Sequence, residues 1–147
     1  MGLSQSCEIK LKNKFQRGNR NLITDIPGVR VGQVTLQNAE KAIHTGVTVI
    51  LPHGGNLFKE KVPAGVSIIN GFGKSAGLIQ VQELETIETP IVMTNTFGVG
   101  TALNALTKYM LEENEDIGVH TGTVNCLVTE CNDGMLNDIR GMHLKED

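Results

Sequence analysis

The chain has 147 residues, 39% hydrophobic and 20% charged, with a formal net charge of -3, which fits about one soluble globular domain. It offers no basic surface for nucleic acid or an anionic membrane. No apolar run approaches the ~18–20 residues needed to span a bilayer, and residues 1–10 lack the apolar stretch of a signal peptide, so a cytoplasmic location is expected.

Residues 1–20 are polar and aperiodic and form an expected N-terminal extension; the five Lys or Arg between Lys10 and Arg20 suit a solvated face. The ordered domain is expected to start near Asn21. Pro27-Gly28 is a turn signal, and Val29, Val31 and Val34 after it predict a short strand. Residues 45–52 (TGVTVILP) form a β-branched run long enough for a buried strand, closed by the loop PHGGN at 52–56. Residues 65–70 (GVSIIN) predict a further strand, broken by Gly71 and Gly73. Ser75 is placed to cap a helix starting at Ala76, with Leu78, Ile79 and Leu84 near one face.

Residues 89–94 (TPIVMT) are strand-like again. Beyond the turn at 95–100, Ala102, Leu103, Leu106, Tyr109 and Met110 recur at helical spacing, the clearest amphipathic helix of the chain. Residues 125–130 (NCLVTE) make the last strand, followed by a turn at 131–134 and a polar tail. Strands interleaved with two helices predict a layered α/β or α+β domain. Aromatics are only 3% with no Trp, so its interior must be built from Val, Ile, Leu, Ala and Met.

The glycines at 71, 73 and 77 lie between a strand and a helix, but their spacing matches neither a dinucleotide fingerprint nor a P-loop. A tight turn that lets a helix approach a substrate suits them better. Ser67, Ser75, His44, His53, His120 and His143 carry no nucleophile-elbow signature. Those histidines with Asp25, Glu130 or Asp133 show no metal-ligand spacing, so no metal is expected. Cys7, Cys126 and Cys131 are odd in number without CxxC spacing and are expected as reduced thiols.

The polar residues 94–96 and 132–138 fall at strand ends, where amides and carboxylates hydrogen-bond either loops or a ligand. Asn95 is a candidate there. Glu83 and Glu130 stand beside apolar segments, and a buried carboxylate is costly without donors or a cation. Either could anchor a substrate ammonium group.

In order, NLITDIPGVRVG (21–32), TGVTVILP (45–52), PAGV (63–66), NGFG (70–73), Glu83, TPIVMTNT (89–96), TGTVN (121–125) and ECNDGMLNDIRG (130–141) resemble the DmpA/BapA-like family of L-aminopeptidase D-esterase/amidases and β-peptidyl aminopeptidases. The resemblance runs from about Asn21 to His143. It implies a four-layer αββα sandwich built jointly by two fragments of a self-cleaved precursor, in a homo-oligomer, without cofactor. The nucleophile would be a Ser exposed by that cleavage, its new α-amino group acting as base. That Ser is expected beyond Asp147, so residues 21–147 would supply the N-terminal part of the peptidase domain and no catalytic residue. The expected partners are therefore a nucleophile-bearing C-terminal fragment and a small peptide or amino-acid amide. The family places an acidic residue for the substrate's amino group near Gln82 and Glu83; Gln82 stands at the acidic position of some relatives, and Leu84 where some have Tyr. Two other readings are a non-catalytic binding or assembly remnant and an acyl-transfer enzyme of the ornithine acetyltransferase kind.

Overall fold

The computed structural model describes residues 16–146. The extension expected at 1–20 therefore lies outside the described residues up to 15, as does Cys7. Residues 16–22 are exposed, and the first fixed point is the turn around Asp25. Its carboxylate accepts from the backbone N–H groups of Leu22 (3.1 Å) and Arg20 (3.0 Å) and from the Arg20 guanidinium (3.3 Å). Those donors, Leu22 first, hold its pKa below the ordinary carboxylate value. A lowered pKa stabilises the turn at neutral pH, and that contribution is lost as the pH falls through it.

Strands β1 (Arg30–Asn38) and β2 (Ile43–Leu51) pair antiparallel over nine residues, from Arg30 opposite Leu51 to Asn38 opposite Ile43. β1 is thus longer than the valines at 29–34 predict, because β2 offers a continuous edge. The connection closes with Asn38 Oδ1 accepting from Lys41 N (3.1 Å) and Ala42 in the left-handed region. β3 (Val62–Pro63) follows, then α1 (Leu78–Leu84), β4 (Thr86–Ile87), β5 (Ile91–Thr94), α2 (Val99–Glu113) and β6 (Leu127–Glu130).

The main sheet has the order β1-β2-β5-β6, antiparallel except for the parallel pair β5-β6, which α2 connects as a crossover. α2 buries Ala102, Leu106 and Met110, one per turn, against Val92, Cys126, Val128 and Ile117. Val128 is wholly buried. Fully burying a side chain of this kind contributes roughly 1.5–3 kcal/mol. Asn114, itself buried, closes the helix by donating to Met110 O and accepting from Asn56 Nδ2. On the opposite face, β3 and β4 pair as a two-stranded sheet and pack with Val81 of α1 onto Leu127 and Ile91. The mixed α/β class is as expected from the alternation of strands and helices.

Two local expectations are corrected. Residues 65–70 form no strand: Ile68 and Ile69 are exposed, and pairing occurs just upstream at Val62–Pro63 with Thr86–Ile87. Ser75 caps nothing, because Ala76 is drawn into a bridge along the free edge of β6 (Ala76 N to Val128 O 2.9 Å; Val128 N to Ala76 O 3.1 Å). α1 begins only after Gly77, at φ +82°.

Among the described residues, no helix is long and apolar enough to cross a membrane.

Candidate functional site

The carboxyl ends of β5 and β6 lie side by side, the place where open α/β sheets bind ligands. At the end of β5, three polar residues, Thr94, Asn95 and Thr96, are all buried. Thr94 Oγ1 donates to Gly46 O (3.2 Å), tying β5 to β2. Asn95 Nδ2 donates to Thr45 Oγ1 (2.9 Å), and Asn95 Oδ1 accepts from Gly98 N (2.7 Å), turning the chain into α2. Thr96 Oγ1 donates to the carboxylate of Glu130, the last residue of β6.

Glu130 also accepts from Lys74 N (3.1 Å), so it fastens the 66–75 segment to both strand ends. That segment turns at Asn70, whose Oδ1 accepts from Phe72 N (3.0 Å). Beyond Glu130, Cys131 N donates to Thr94 O (2.9 Å). The 131–138 loop is then pinned across the β1-β2 turn: Asn137 Oδ1 accepts from His44 N (3.1 Å), and Asp138 N donates to Ala42 O (2.7 Å).

Glu130 consequently forms a wall between two clefts. One, of about 470 Å³, is lined by residues 66–70, 72–75 and 129–132 with Leu78 and Thr96. The other, of about 510 Å³, runs over β1 and β2 past His44, Thr48, Met93, Asn95 and Asp133. Both fall within the usual range of small-molecule sites, roughly 300–1,000 Å³.

The expected site residues do not share one cavity. Gln82 borders a separate, shallow cleft with residues 63–66 and Glu85. Glu83 is exposed on the outer side of α1, one turn from the exposed Ile79. Asn95 borders the second cleft, but its amide is engaged by Thr45 and Gly98. Ser67 and Ser75 line the first cleft, and none of the described histidines does. Among the described residues, no three His, Cys, Asp or Glu side chains gather as metal donors.

One buried carboxylate escaped the sequence. Glu88 is 5% exposed; it accepts from Asn125 N (2.8 Å) and forms an ion pair with Lys61. The rule that singled out Glu130 applies equally to a Glu between Ile87 and Ile91.

The two described thiols differ sharply. Cys126 is buried, and desolvation raises its pKa above the ordinary thiol value, whereas Cys131 is exposed. In a Cys7→Ser protein at neutral pH, 5,5′-dithiobis(2-nitrobenzoate) is expected to titrate one thiol rapidly and the second only on unfolding. Rapid reaction of both in the native protein would contradict the packing around Cys126.

Residues 21–147 match Peptidase family S58. Over 137 residues the chain is 34% identical to the β-peptidyl aminopeptidase BapA of Sphingosinicella microcystinivorans, covering 88% of this chain and 33% of the relative. Among solved structures, a protein of Pyrococcus horikoshii OT3 is 57% identical with a TM-score of 0.86, over 91% of this chain and 40% of that one. A Burkholderia sp. β-aminopeptidase is 38% identical with a TM-score of 0.80, over 89% and 37%. The L-aminopeptidase D-Ala-esterase/amidase of Ochrobactrum anthropi, described as a prototype serine aminopeptidase with a variant Ntn hydrolase fold, is 31% identical with a TM-score of 0.73, over 89% and 38%. The chain thus spans about a third of the curated relatives it matches.

Proposed function

The chain belongs to peptidase family S58, and from that premise we propose that it supplies the N-terminal part of a serine N-terminal-nucleophile aminopeptidase acting on short peptides, amides or esters with a free amino terminus. The observation that carries the reading is the match of residues 21–147 to peptidase family S58, together with the identity to proteins named β-peptidyl aminopeptidase, of whose length the chain spans about a third. The nucleophile belongs to the remaining part, released by self-cleavage at a Ser. Its new α-amino group, with an unperturbed pKa of about 7.7–8.0, is suited to act as a base near neutral pH.

The packing supports a missing partner. A groove of about 400 Å³ beside α2 is lined by Val47, Val49, Leu51, Ala105 and Tyr109 among other apolar residues. Apolar surface of this kind favours further chain over water. The complete enzyme is an αββα sandwich in a homo-oligomer, cytoplasmic and independent of metal or cofactor. Of the expected substrate-binding residues, Asn95 borders the cleft over β1 and β2, whereas Gln82 lines a separate cleft and Glu83 lies on the outer side of α1.

The test is to express the 147-residue chain with and without a nucleophile-bearing C-terminal part, and to follow p-nitroaniline release from aminoacyl p-nitroanilides. Activity is expected only from the combined protein, and only after its chain has cleaved. Hydrolysis by the 147-residue protein alone that survives replacement of both Ser67 and Ser75 would overturn the proposal. So would a combined protein that transfers acetyl groups to ornithine and leaves the anilides intact.

A further inference from the structure

We propose that Asn70 is a site of spontaneous covalent modification: its side-chain amide is lost by ring closure with the Gly71 backbone, leaving a carboxylate on the wall of the 470 Å³ cleft. The inference concerns the chemistry of the chain itself and is independent of the aminopeptidase reading.

Residues 70–71 are the one Asn-Gly pair of the sequence. An asparagine side chain cyclises when the backbone nitrogen of the next residue attacks its amide carbon, and a Cβ on that next residue crowds the approach. Glycine has none. Asn70 and Gly71 are both exposed, and nothing lies within 4 Å of the place a Cβ on Gly71 would take. Among the described residues, no group accepts a hydrogen bond from Gly71 N or from Asn70 Nδ2, so both the attacking and the leaving nitrogen are free.

The turn presents the reacting atoms to each other. Asn70 Oδ1 accepts from Phe72 N at 3.0 Å, which folds the side chain back over the peptide that carries Gly71 N. The same N–H faces the oxygen on which negative charge collects during the attack, at the distance of an oxyanion donor. Gly73 N donates to Asn70 O (3.2 Å) and closes the turn from its other side. In the reaction Gly71 N bonds to Asn70 Cγ and gives up its proton, the Cγ–Nδ2 bond breaks, and ammonia leaves with that proton. Water then opens the resulting imide, at Cγ to give aspartate or at the backbone carbonyl to give isoaspartate.

Two other asparagines make the same turn and serve as internal comparisons. Asn56 Oδ1 accepts from Phe58 N (3.1 Å), and Asn132 Oδ1 from Gly134 N (2.9 Å). Each is followed by a residue with a Cβ, the buried Leu57 and Asp133, and Asn56 Nδ2 is also held by Asn114. The consequence for the cleft follows from Gly73, where a Cβ would lie 3.4 Å from Asn70 O and 3.5 Å from Glu130 Oε1. A carboxylate at position 70 thus adds a second negative charge near Glu130, and isoaspartate lengthens the turn by one methylene.

Incubating the folded 147-residue protein at mildly alkaline pH, then digesting it with trypsin for mass spectrometry, tests this directly. Peptide 62–74 is expected to divide into asparagine, aspartate and isoaspartate forms. Asn56 in peptide 42–59 and Asn132 in peptide 109–140 are expected to react at least about tenfold more slowly, about 1.4 kcal/mol in barrier. Gly71→Ala is expected to slow Asn70 by a similar factor without moving the urea midpoint, because its Cβ enters open space.

Equal loss from the three asparagines overturns the proposal, as does a Gly71→Ala protein that reacts as fast as its parent. A synthetic 62–74 peptide reacting well ahead of the folded protein also overturns it, since the turn would then shield the site. Should Gly71→Ala fail to fold, the comparison of the three asparagines in the unaltered protein still decides.

Discussion

Gly77→Ala is expected to lower the unfolding free energy by about 3 kcal/mol, the sum of a left-handed backbone penalty of roughly 1–2 kcal/mol and an overpacking cost of roughly 1–3 kcal/mol. Gly77 has φ +82°, and a Cβ there would lie 2.5 Å from Cys126 O, 3.0 Å from Cys126 C and 3.1 Å from Leu127 Cα. All three atoms are backbone of the segment entering β6, so no side chain can rotate away. Relief requires opening the Ala76–Val128 bridge that docks the 66–75 segment on the sheet edge. Gly118→Ala is the matched control, since Gly118 has φ +73° with nothing within 4 Å of its would-be Cβ. It is expected to lose only the conformational part. Urea denaturation of both variants separates the two contributions, and Gly77→Ala no less stable than Gly118→Ala would show that the contact with β6 is not tight.

Much of the architecture is legible in the residues because it depends on period. The TPIVMT segment and the Ala102-Leu106-Met110 spacing each bury a face, and the β-branched run at 45–51 became a strand that is half-buried except at the buried Thr45. What stayed hidden depends on partners far along the chain. The GVSIIN segment at 65–70 has strand composition, but the edge of β6 is taken by Ala76, and Ile69 is left 99% exposed. Strands of two residues, such as β3 and β4, carry no period at all; their pairing is set by packing with Val81 onto Leu127.

The site is legible in kind and less so in place. Polar residues at the ends of β5 and β6 stood out in the sequence, and the structure gathers Thr96 and Glu130 there. Composition could not show that Asn95 spends its amide on Thr45 and Gly98. The direction of Glu83 was equally out of reach, because it depends on which side of α1 packs on the sheet. Val81 takes that side, which turns Glu83 and Ile79 outward.

Lys61→Met is expected to cost about 2–3 kcal/mol, more than Glu88→Gln at about 1 kcal/mol, because removing one partner of a buried pair strands the other charge. The Glu88 side chain is 6% exposed and the Lys61 side chain 41%. The asymmetry decides the order. A lysine that loses Glu88 can turn to water, and it keeps Phe58 O as acceptor (3.2 Å) and the Phe58 ring beneath it. A glutamate that loses Lys61 stays buried, with only Asn125 N still donating to it. Partial access of water at Lys61 places its cost at or below the low end of the roughly 3–5 kcal/mol found for breaking fully buried pairs. Adding Glu88→Gln to the Lys61→Met protein removes the stranded charge, while the side-chain amide oxygen it introduces can still accept from Asn125 N. The double variant should therefore be more stable than Lys61→Met alone. Urea denaturation of the four proteins gives the coupling, expected at about 1–2 kcal/mol. Strict additivity would mean that the ion pair contributes nothing beyond the separate hydrogen bonds of its two partners.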